Sequence, residues 1–129
     1  MEAPDQDVRD RYVTLMDDKF GSLTPIDVDA EAAAVTVPWF NQTLTTVNDA
    51  LVRLGVLHGE YHWHKHDDQD EFFLVLDGEL HLDVEGRDTV VLGRHQGYTV
   101  PKGVVHRTRA PRYCACIMVE QAGVIPTGD

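Results

Sequence analysis

The sequence contains few cysteines, few basic residues and no long apolar segment. Among its 129 residues there are only 2 cysteines, Cys114 and Cys116, which are too few and too close together for a disulfide framework. The 11 Lys and Arg residues stand against 22 Asp and Glu residues, so the formal net charge is −11. An acidic protein of this kind is not expected to use nucleic acid or an anionic membrane surface as its main partner.

Nothing in the sequence predicts insertion into a membrane or export. The longest clear apolar run, residues 72–76, is much shorter than the roughly 18 residues of a membrane span. Residues 1–5 lack the basic and apolar regions of a secretion signal. With 43% hydrophobic and 26% charged residues, the chain has the composition of a globular domain. We therefore expect a cytoplasmic protein with one main domain.

The first 25 residues are predicted to form a helical extension. Pro4 and the acidic residues after it suit a first helical turn, and Gly21 suits a helix end. Apolar side chains recur at helical spacing between them, at Val8, Tyr12, Leu15 and Met16. We expect this stripe to pack against the body of the protein or against a second copy of it. Residues 29–35 are expected to add one or two further helical turns.

From residue 26 onward the sequence predicts an all-β domain. Beyond Pro38 the pattern is that of strands, with residues 43–47 and 51–57 joined by a turn at Asn48-Asp49. Asp77-Gly78 separates two more strand-like runs, 71–76 and 79–84, and this dipeptide is a strong hairpin signal because it accepts positive φ. Further strands are predicted at residues 89–92, 98–100, 104–108 and 113–119. About eight or nine short strands with frequent turns are typical of a sandwich or a barrel.

Candidate metal ligands are concentrated in one short stretch. The chain has 7 histidines, and three of them, His62, His64 and His66, would lie on the same face of an extended strand. Two imidazoles at alternate positions of a strand can bind one metal ion at about 2.0–2.2 Å. Glu71 begins the next predicted strand and can add a carboxylate ligand. His106 follows a turn at residues 101–103.

Two motifs around these residues resemble those of the cupin superfamily. The run His64-Lys65-His66, four residues, Glu71, six residues, Gly78 is similar to the first cupin motif. The run Pro101-Lys102-Gly103-Val104-Val105-His106 is similar to the second. This resemblance implies a small antiparallel jelly-roll barrel, or double-stranded β-helix, over residues 26–129.

The resemblance also implies a metal site. By matching positions, one divalent transition metal ion would be held by His64, His66, Glu71 and His106. Three imidazoles and one carboxylate suit Fe(II), Mn(II), Ni(II) or Zn(II), and the ligand set does not choose among them. The sequence departs from the family pattern in the positions of Gly59 and Gly97 relative to the motifs, and in Ala110, where the family usually has asparagine. None of these departures touches a ligand position.

Three features allow more than one interpretation. His62 is either a histidine hydrogen-bonded to a neighbour, an acid or base beside the metal, or an alternative ligand. The five basic residues between positions 94 and 112 form either a solvated or internally paired surface or a pocket rim that attracts carboxylates. Cys114 and Cys116 share one face of a strand and are expected to be buried apolar residues, lining the pocket if that face is the barrel interior.

Small cupins that resemble this chain include dioxygenases, isomerases, epimerases, decarboxylases and cyclases, and also proteins that only bind a ligand. We expect a metal-dependent enzyme acting on a small, oxygen-rich, anionic metabolite, with dioxygenase-like oxidation favoured. Glu71 and His62 are its candidate catalytic residues. The alternative hypotheses are a cupin isomerase, epimerase or cyclase, and a non-catalytic protein that binds or senses a small ligand. Such cupins commonly pair through their sheets, so a homodimer is expected.

Overall fold

Eight strands and one short helix make up residues 12–129, the part of the chain that the computed structural model describes. The helix, α1, spans Val28–Ala33, in agreement with the helical turns predicted for residues 29–35. At its start, the Asp27 carboxylate accepts a hydrogen bond from the Ala30 N–H. No helix in residues 12–129 has the length and apolar character needed to cross a membrane. The strands are β1 (Val13–Leu15), β2 (Trp39–Val47), β3 (Ala50–Glu60), β4 (Glu71–Gly78), β5 (Leu80–Val84), β6 (Val90–Leu92), β7 (Gly97–Val100) and β8 (His106–Gln121).

Strand β8 is the centre of the sheet. It pairs antiparallel with β3, with β4 and, through its first residues, with β5. The strand order is β1-β2-β3-β8-β4-β7, and β6 pairs with β5. The segments 104–108 and 113–119, predicted as separate strands, mostly belong to this one long strand. Because strands β2 to β8 all contribute side chains to one main apolar cluster, the expected all-β jelly-roll architecture is confirmed.

The hairpin predicted at Asp77-Gly78 is wrong. Strands β4 and β5 do not pair with each other, because both lie along β8: β4 pairs with residues 114–120 and β5 with residues 106–109. The dipeptide is instead a bend between two successive strands. Gly78 has φ of +77°, and a Cβ atom there would overlap the Tyr113 carbonyl oxygen. The Asp-Gly signal therefore located a residue with positive φ, while the long partner strand decided the pairing.

The helix predicted over the first 25 residues is also wrong within the described residues. Residues 13–15 form β1, which pairs parallel with residues 40–42 of β2. Further on, the N–H groups of Lys19 and Phe20 donate to carbonyl oxygens of β2. The open edge of β2 supplies backbone partners to this segment, and tertiary pairing of this kind overrides a weak helical pattern. Residues 1–11, with the predicted helix start at Pro4 and with Val8, lie outside the described residues, and the domain boundary at residue 25 stays a prediction.

The two cysteines belong to the apolar core inside the barrel. Phe73 and Val75 of β4 point inward, as do Cys114 and Cys116 of β8, and all four are almost completely buried. The cysteines are free thiols inside the apolar core, as expected for buried apolar residues. A second apolar cluster lies where α1 and residues 20–35 cover β2 and β3. The end of the barrel near residues 61–71 is different, because its inward side chains are polar.

Candidate metal centre

Four buried side chains meet at the polar end of the barrel. His64, His66, Glu71 and His106 each place one ligand atom within 4.8 Å of those of the other three. Ligand atoms on opposite sides of one ion lie about 4.0–4.4 Å apart when each bond is about 2.0–2.2 Å. A small contraction of the cluster therefore brings all four residues into the coordination sphere of a single ion.

Backbone pairing places the three histidines. His64 and His106 form an isolated antiparallel bridge, and their ring centroids are 4.4 Å apart. His66 follows two residues after His64, and the two ring centroids are 5.0 Å apart, so the expectation that both rings lie on one face is confirmed. The turn of the second motif is tied to the same segment, since the Gly103 N–H donates to the His66 carbonyl oxygen at 2.8 Å.

Carbonyl groups fix how two of the histidines present their rings. The Nδ1 atom of His64 lies 3.0 Å from the His62 carbonyl oxygen, and Nδ1 of His106 lies 2.9 Å from that of Val104. A carbonyl oxygen only accepts, so each Nδ1 carries the proton and each neutral ring offers its Nε2 lone pair to the cluster. Nε2 of His106 then faces the Glu71 Oε1 atom at 3.1 Å. Two electron-rich atoms that face each other this closely are well suited to a cation shared between them.

Burial keeps the histidines in the form that binds metals. It lowers the pKa of His64 to about 2, with His106 as the next cause, and it lowers the pKa of His66 and of His106 as well. Both ring nitrogens of His66 are buried and have no hydrogen-bond partner within residues 12–129. Neutral imidazoles, one orphaned ring and a carboxylate are the donor set of a first-row divalent metal ion, so the residues fit such an ion.

His62 lies beside the cluster and outside it. Its Nε2 atom is 2.7 Å from the Thr127 carbonyl oxygen, and its ring packs against Tyr61 with centroids 4.3 Å apart. His62 is not a member of the group of four candidate metal ligands. The position favours the interpretation of His62 as a histidine hydrogen-bonded to a neighbour, and its catalytic role stays a prediction.

Arginines of the basic stretch are paired inside the protein. The Asp83 carboxylate accepts from Arg107 Nε at 2.8 Å and from Arg109 Nε and Nη2 at 2.5 and 3.0 Å. Hydrogen bonds from Arg109 above all hold the pKa of Asp83 far below its ordinary value. The Arg107 guanidinium also lies over the Trp63 ring, 5.0 Å from its centroid. For these two arginines the internally paired surface is the correct interpretation, and not the pocket rim.

A small cavity of about 40 Å³, with both apolar and polar walls, opens beside the cluster. Its wall includes two ligands, His64 and Glu71, together with charged and polar residues that the motifs do not contain. These additional residues are Asn41, Arg53, Tyr61, Thr108 and Glu120. Cys114 and Cys116 are not among the residues that line it. A cavity of this size holds a few water molecules.

Arg53 and Glu120 were missed by the sequence analysis. Glu120 stands directly opposite Glu71 in the β4–β8 pairing, and both residues line the cavity. Nη1 of Arg53 lies 3.7 Å from Oε2 of Glu120, and both side chains are almost fully buried. The available signal was a charged residue, Arg53, in the middle of the apolar run of residues 51–57. Charged residues are rarely buried unless they have a partner.

Burial raises the pKa of both carboxyl groups, whereas their proximity lowers the pKa of Glu71 and raises that of Glu120. Burial raises the pKa of Glu71, while the neighbouring Glu120 and the charge of Arg53 act to lower it. Burial also raises the pKa of Glu120 well above its ordinary value, and the neighbouring Glu71 raises it further. Burial and the nearby Glu71 therefore both disfavour the charged form of Glu120.

Comparison with known proteins identifies the family. Residues 51–120 match the family model Cupin_2, described as a cupin domain. The chain belongs to this cupin family. It is 50% identical over 70 residues to the protein YdbB of Bacillus subtilis, and the match covers 54% of this chain and 62% of YdbB. The chain thus spans less than two thirds of the length of that relative.

Solved structures agree with this assignment. A cupin-2 domain protein from Shewanella frigidimarina is 28% identical to this cupin, with a TM-score of 0.70 over 74% of this chain and 93% of the other. The DMSP lyase DddQ from Ruegeria pomeroyi is 20% identical, with a TM-score of 0.59 over 67% of this chain and 48% of the other. At that level of identity, the similarity to the lyase concerns the fold alone.

Proposed function

We propose that this cupin is a cytoplasmic, metal-dependent enzyme that acts on a small, oxygen-rich, anionic metabolite, with dioxygenase-like oxidation as the favoured reaction. The observation that carries the proposal is that the cluster of four ligands borders a cavity. Four protein ligands leave one or two positions of an octahedral ion for a substrate. Structural metal sites, in contrast, are usually closed by protein ligands.

The charges of the site favour an anion. The three imidazoles are neutral and Glu71 contributes one negative charge, so a divalent ion held there keeps a net positive charge. Arg53 also contributes its guanidinium group to the cavity wall, whereas the charge pattern along the sequence pointed to residues 94–112. A carboxylate or an enolate is the kind of group that such a site attracts.

Residues of the chain supply binding and proton transfer. When bound, a transition metal ion at this site would supply Lewis acidity and, for a redox-active metal, electron transfer. Glu71 is the candidate proton acceptor for an incoming substrate, and His62, whose ring centroid lies 5.3 Å from that of His64, is the candidate acid or base. Tyr61, Thr108 and Asn41 offer hydrogen bonds that orient the rest of a small substrate.

The proposal is tested by metal analysis followed by an activity screen. Protein purified without chelators is analysed for metal, and then loaded with Fe(II), Mn(II), Ni(II) or Zn(II) in separate samples. Each sample is mixed with small metabolites that carry a carboxylate next to a hydroxyl or a keto group, and oxygen uptake and substrate loss are recorded together. We expect oxygen uptake that matches substrate loss, and no uptake by the His106→Ala variant.

Other outcomes of the screen identify the alternatives. Loss of substrate without oxygen uptake would replace oxidation by isomerisation, epimerisation, cyclisation or elimination. Tight binding of a metabolite with neither substrate loss nor oxygen uptake would favour the binding or sensing protein. A native protein that binds no divalent transition metal would refute the metal-dependent enzyme altogether.

A further inference from the structure

We propose that the segment of residues 125–129, which follows β8, positions the stretch of chain that carries the metal ligands His64 and His66. The inference rests on the metal site of the proposed function, and it concerns metal binding there rather than the reaction. The 125–129 segment lies outside both cupin motifs and contains none of the four candidate ligands. It nevertheless contacts residues at several positions from 61 to 67.

Hydrogen bonds hold the 125–129 segment against the barrel, and apolar packing contributes little. Ile125, its one large aliphatic side chain, is 53% exposed, and Pro126 and Thr127 are half-buried. The Tyr61 hydroxyl donates to the Pro126 carbonyl oxygen at 3.2 Å, and Nε2 of His62 lies 2.7 Å from the Thr127 carbonyl oxygen. Pro126 also forms part of the cavity wall. The segment is therefore placed by polar contacts beside the candidate metal centre.

Asp129 is bonded to the residues on both sides of His66. Its N–H donates to the Lys65 carbonyl oxygen at 2.9 Å, and its Oδ2 atom accepts from the Asp67 N–H at 2.5 Å. The ring nitrogens of His66 have no hydrogen-bond partner within residues 12–129, unlike those of the other two histidine ligands. The place of this ring is therefore set by its backbone, which Asp129 holds from both neighbours and Gly103 holds at the carbonyl group.

Gly128 lies directly against His64. It is buried, with φ of +96°, and a Cβ atom there would lie 2.6 Å from His64 Cβ and 3.1 Å from the Lys65 carbonyl oxygen. Because His64 Cβ is the atom next to the backbone, it cannot turn away as the end of a flexible side chain could. Glycine permits this approach, since it carries no Cβ atom. Any larger residue at position 128 must therefore displace the segment or the metal ligand that it touches.

The inference is tested by Co(II) binding to two alanine variants. Gly128→Ala places a methyl group against His64, whereas Gly123→Ala also requires a positive φ, +91°, but its Cβ meets no atom within 4 Å. Co(II) affinity is measured by competition with a chelator, and the visible absorption spectrum of bound Co(II) reports the arrangement of its ligands. We expect Gly128→Ala to weaken Co(II) binding by about 10–100-fold, the scale for lost support of a metal ligand, and to change the spectrum. Gly123→Ala should match the wild type, and equal affinity and spectrum in the two variants would overturn the inference while leaving the metal site intact.

Variants of Asp129 separate positioning from charge. Asp129→Ala removes the acceptor of the Asp67 N–H, while Asp129→Asn removes the charge and keeps an oxygen in the same place. We expect Asp129→Ala to weaken Co(II) binding and Asp129→Asn to retain near wild-type affinity. An equal loss in both variants would assign the effect to the charge of Asp129 and overturn the positioning role.

Hydrogen exchange of the metal-free protein shows whether the bond to Asp129 has been lost from a folded chain. The Asp67 amide should exchange faster in Asp129→Ala than in the wild type, while the amides that pair β3 with β8 stay protected. Faster exchange at Asp67 together with wild-type Co(II) affinity and spectrum would show that the segment is structural only, and would overturn the inference. Failure of the wild-type protein to bind Co(II) would overturn the metal site, and the inference with it.

Discussion

His64 and His106 exchange both of their backbone hydrogen bonds, with N···O distances of 2.9 and 2.8 Å. The two motifs are therefore joined through the main chain, and the separation of the two rings is set by the pairing of the segments that carry them. Side-chain substitutions at these positions do not remove the backbone bonds. The ligands and the framework that places them can for this reason be tested separately.

Removal of one histidine ligand is expected to remove the metal and leave the fold. His64→Ala and His106→Ala should each lose most of the bound metal, because the neighbouring side chains cannot supply a replacement ligand. Metal content after chelator-free purification is the measurement, with circular dichroism to verify folding. His62→Ala is the matched control and should retain the metal. Equal loss in this variant would mean that the ligand pair is assigned to the wrong histidines.

Substitution of Glu71 is expected to act on both binding and turnover. Glu71→Gln keeps the size of the side chain but removes the one anionic ligand and the candidate proton acceptor. The variant should fold, bind metal more weakly, and lose about 10²-fold or more in turnover of a substrate found by the screen, the scale of a lost general base. Turnover close to that of the wild-type protein would exclude a role of Glu71 in proton transfer.

The Asp83 carboxylate is expected to stabilise the protein in a pH-dependent way. Its folded-state pKa is depressed by Arg109, Thr89 and Arg107, so its contribution is fully present above the ordinary pKa of about 3.9 and is lost as the pH falls below it toward the folded-state pKa. Asp83→Asn should lower the free energy of unfolding by about 2 kcal/mol at neutral pH. Urea unfolding at several pH values should show the difference from the wild type shrinking below about pH 4.

The control for this experiment is an exposed pair. Glu79→Gln disrupts a contact between Glu79 and the His81 ring at the surface, where solvent screens the charges, and should change the stability little. A pH-independent difference between wild type and Asp83→Asn would show that the loss arises from packing rather than from the charge.

Gly78 is expected to tolerate alanine poorly. Gly78 and Gly86 both have φ of +77°, but only at Gly78 would a Cβ atom overlap other atoms, at the Tyr113 carbonyl group. Gly86→Ala should cost about 1 kcal/mol for its backbone conformation. Gly78→Ala should cost about 1–3 kcal/mol beyond that, because β4 must move away from β8. Similar thermal unfolding of the two variants would contradict the assignment of the bend.

Assembly into a homodimer is expected from the exposed edge of the sheet. Within the described residues, strand β1 pairs only with β2, so its other edge is open. Leu15 at the end of β1 is 44% exposed, and Met16 after it is 37% exposed. Light scattering should give twice the chain mass of 14.5 kDa at micromolar concentrations. Leu15→Glu should weaken the dimer without reducing the metal content. A mass of one chain throughout would exclude the dimer.

The metal ligands were predictable because their signal is local. The spacing of His62, His64 and His66 indicated a shared strand face, and the resemblance to the two cupin motifs then selected His64, His66, Glu71 and His106. Arg53, Glu71 and Glu120 come together only because β3 and β4 both pair with β8, and no short-range pattern encodes that register. Tyr12 and Leu15 illustrate the opposite error. Their helical spacing was real, but the edge of β2 offered this segment a backbone partner that sequence periodicity does not reveal.

The central place of β8 has a consequence for how the protein is made. This strand spans residues 106–121 and pairs with β3, β4 and β5, whose residues are all synthesised earlier. The inner strands of the barrel lack their main partner until residues 106–121 have left the ribosome. Folding dominated by such distant contacts is slow, and the unpaired strands are exposed to aggregation in the meantime. Because His106 lies at the start of β8, the candidate metal site and the barrel are completed in the same step.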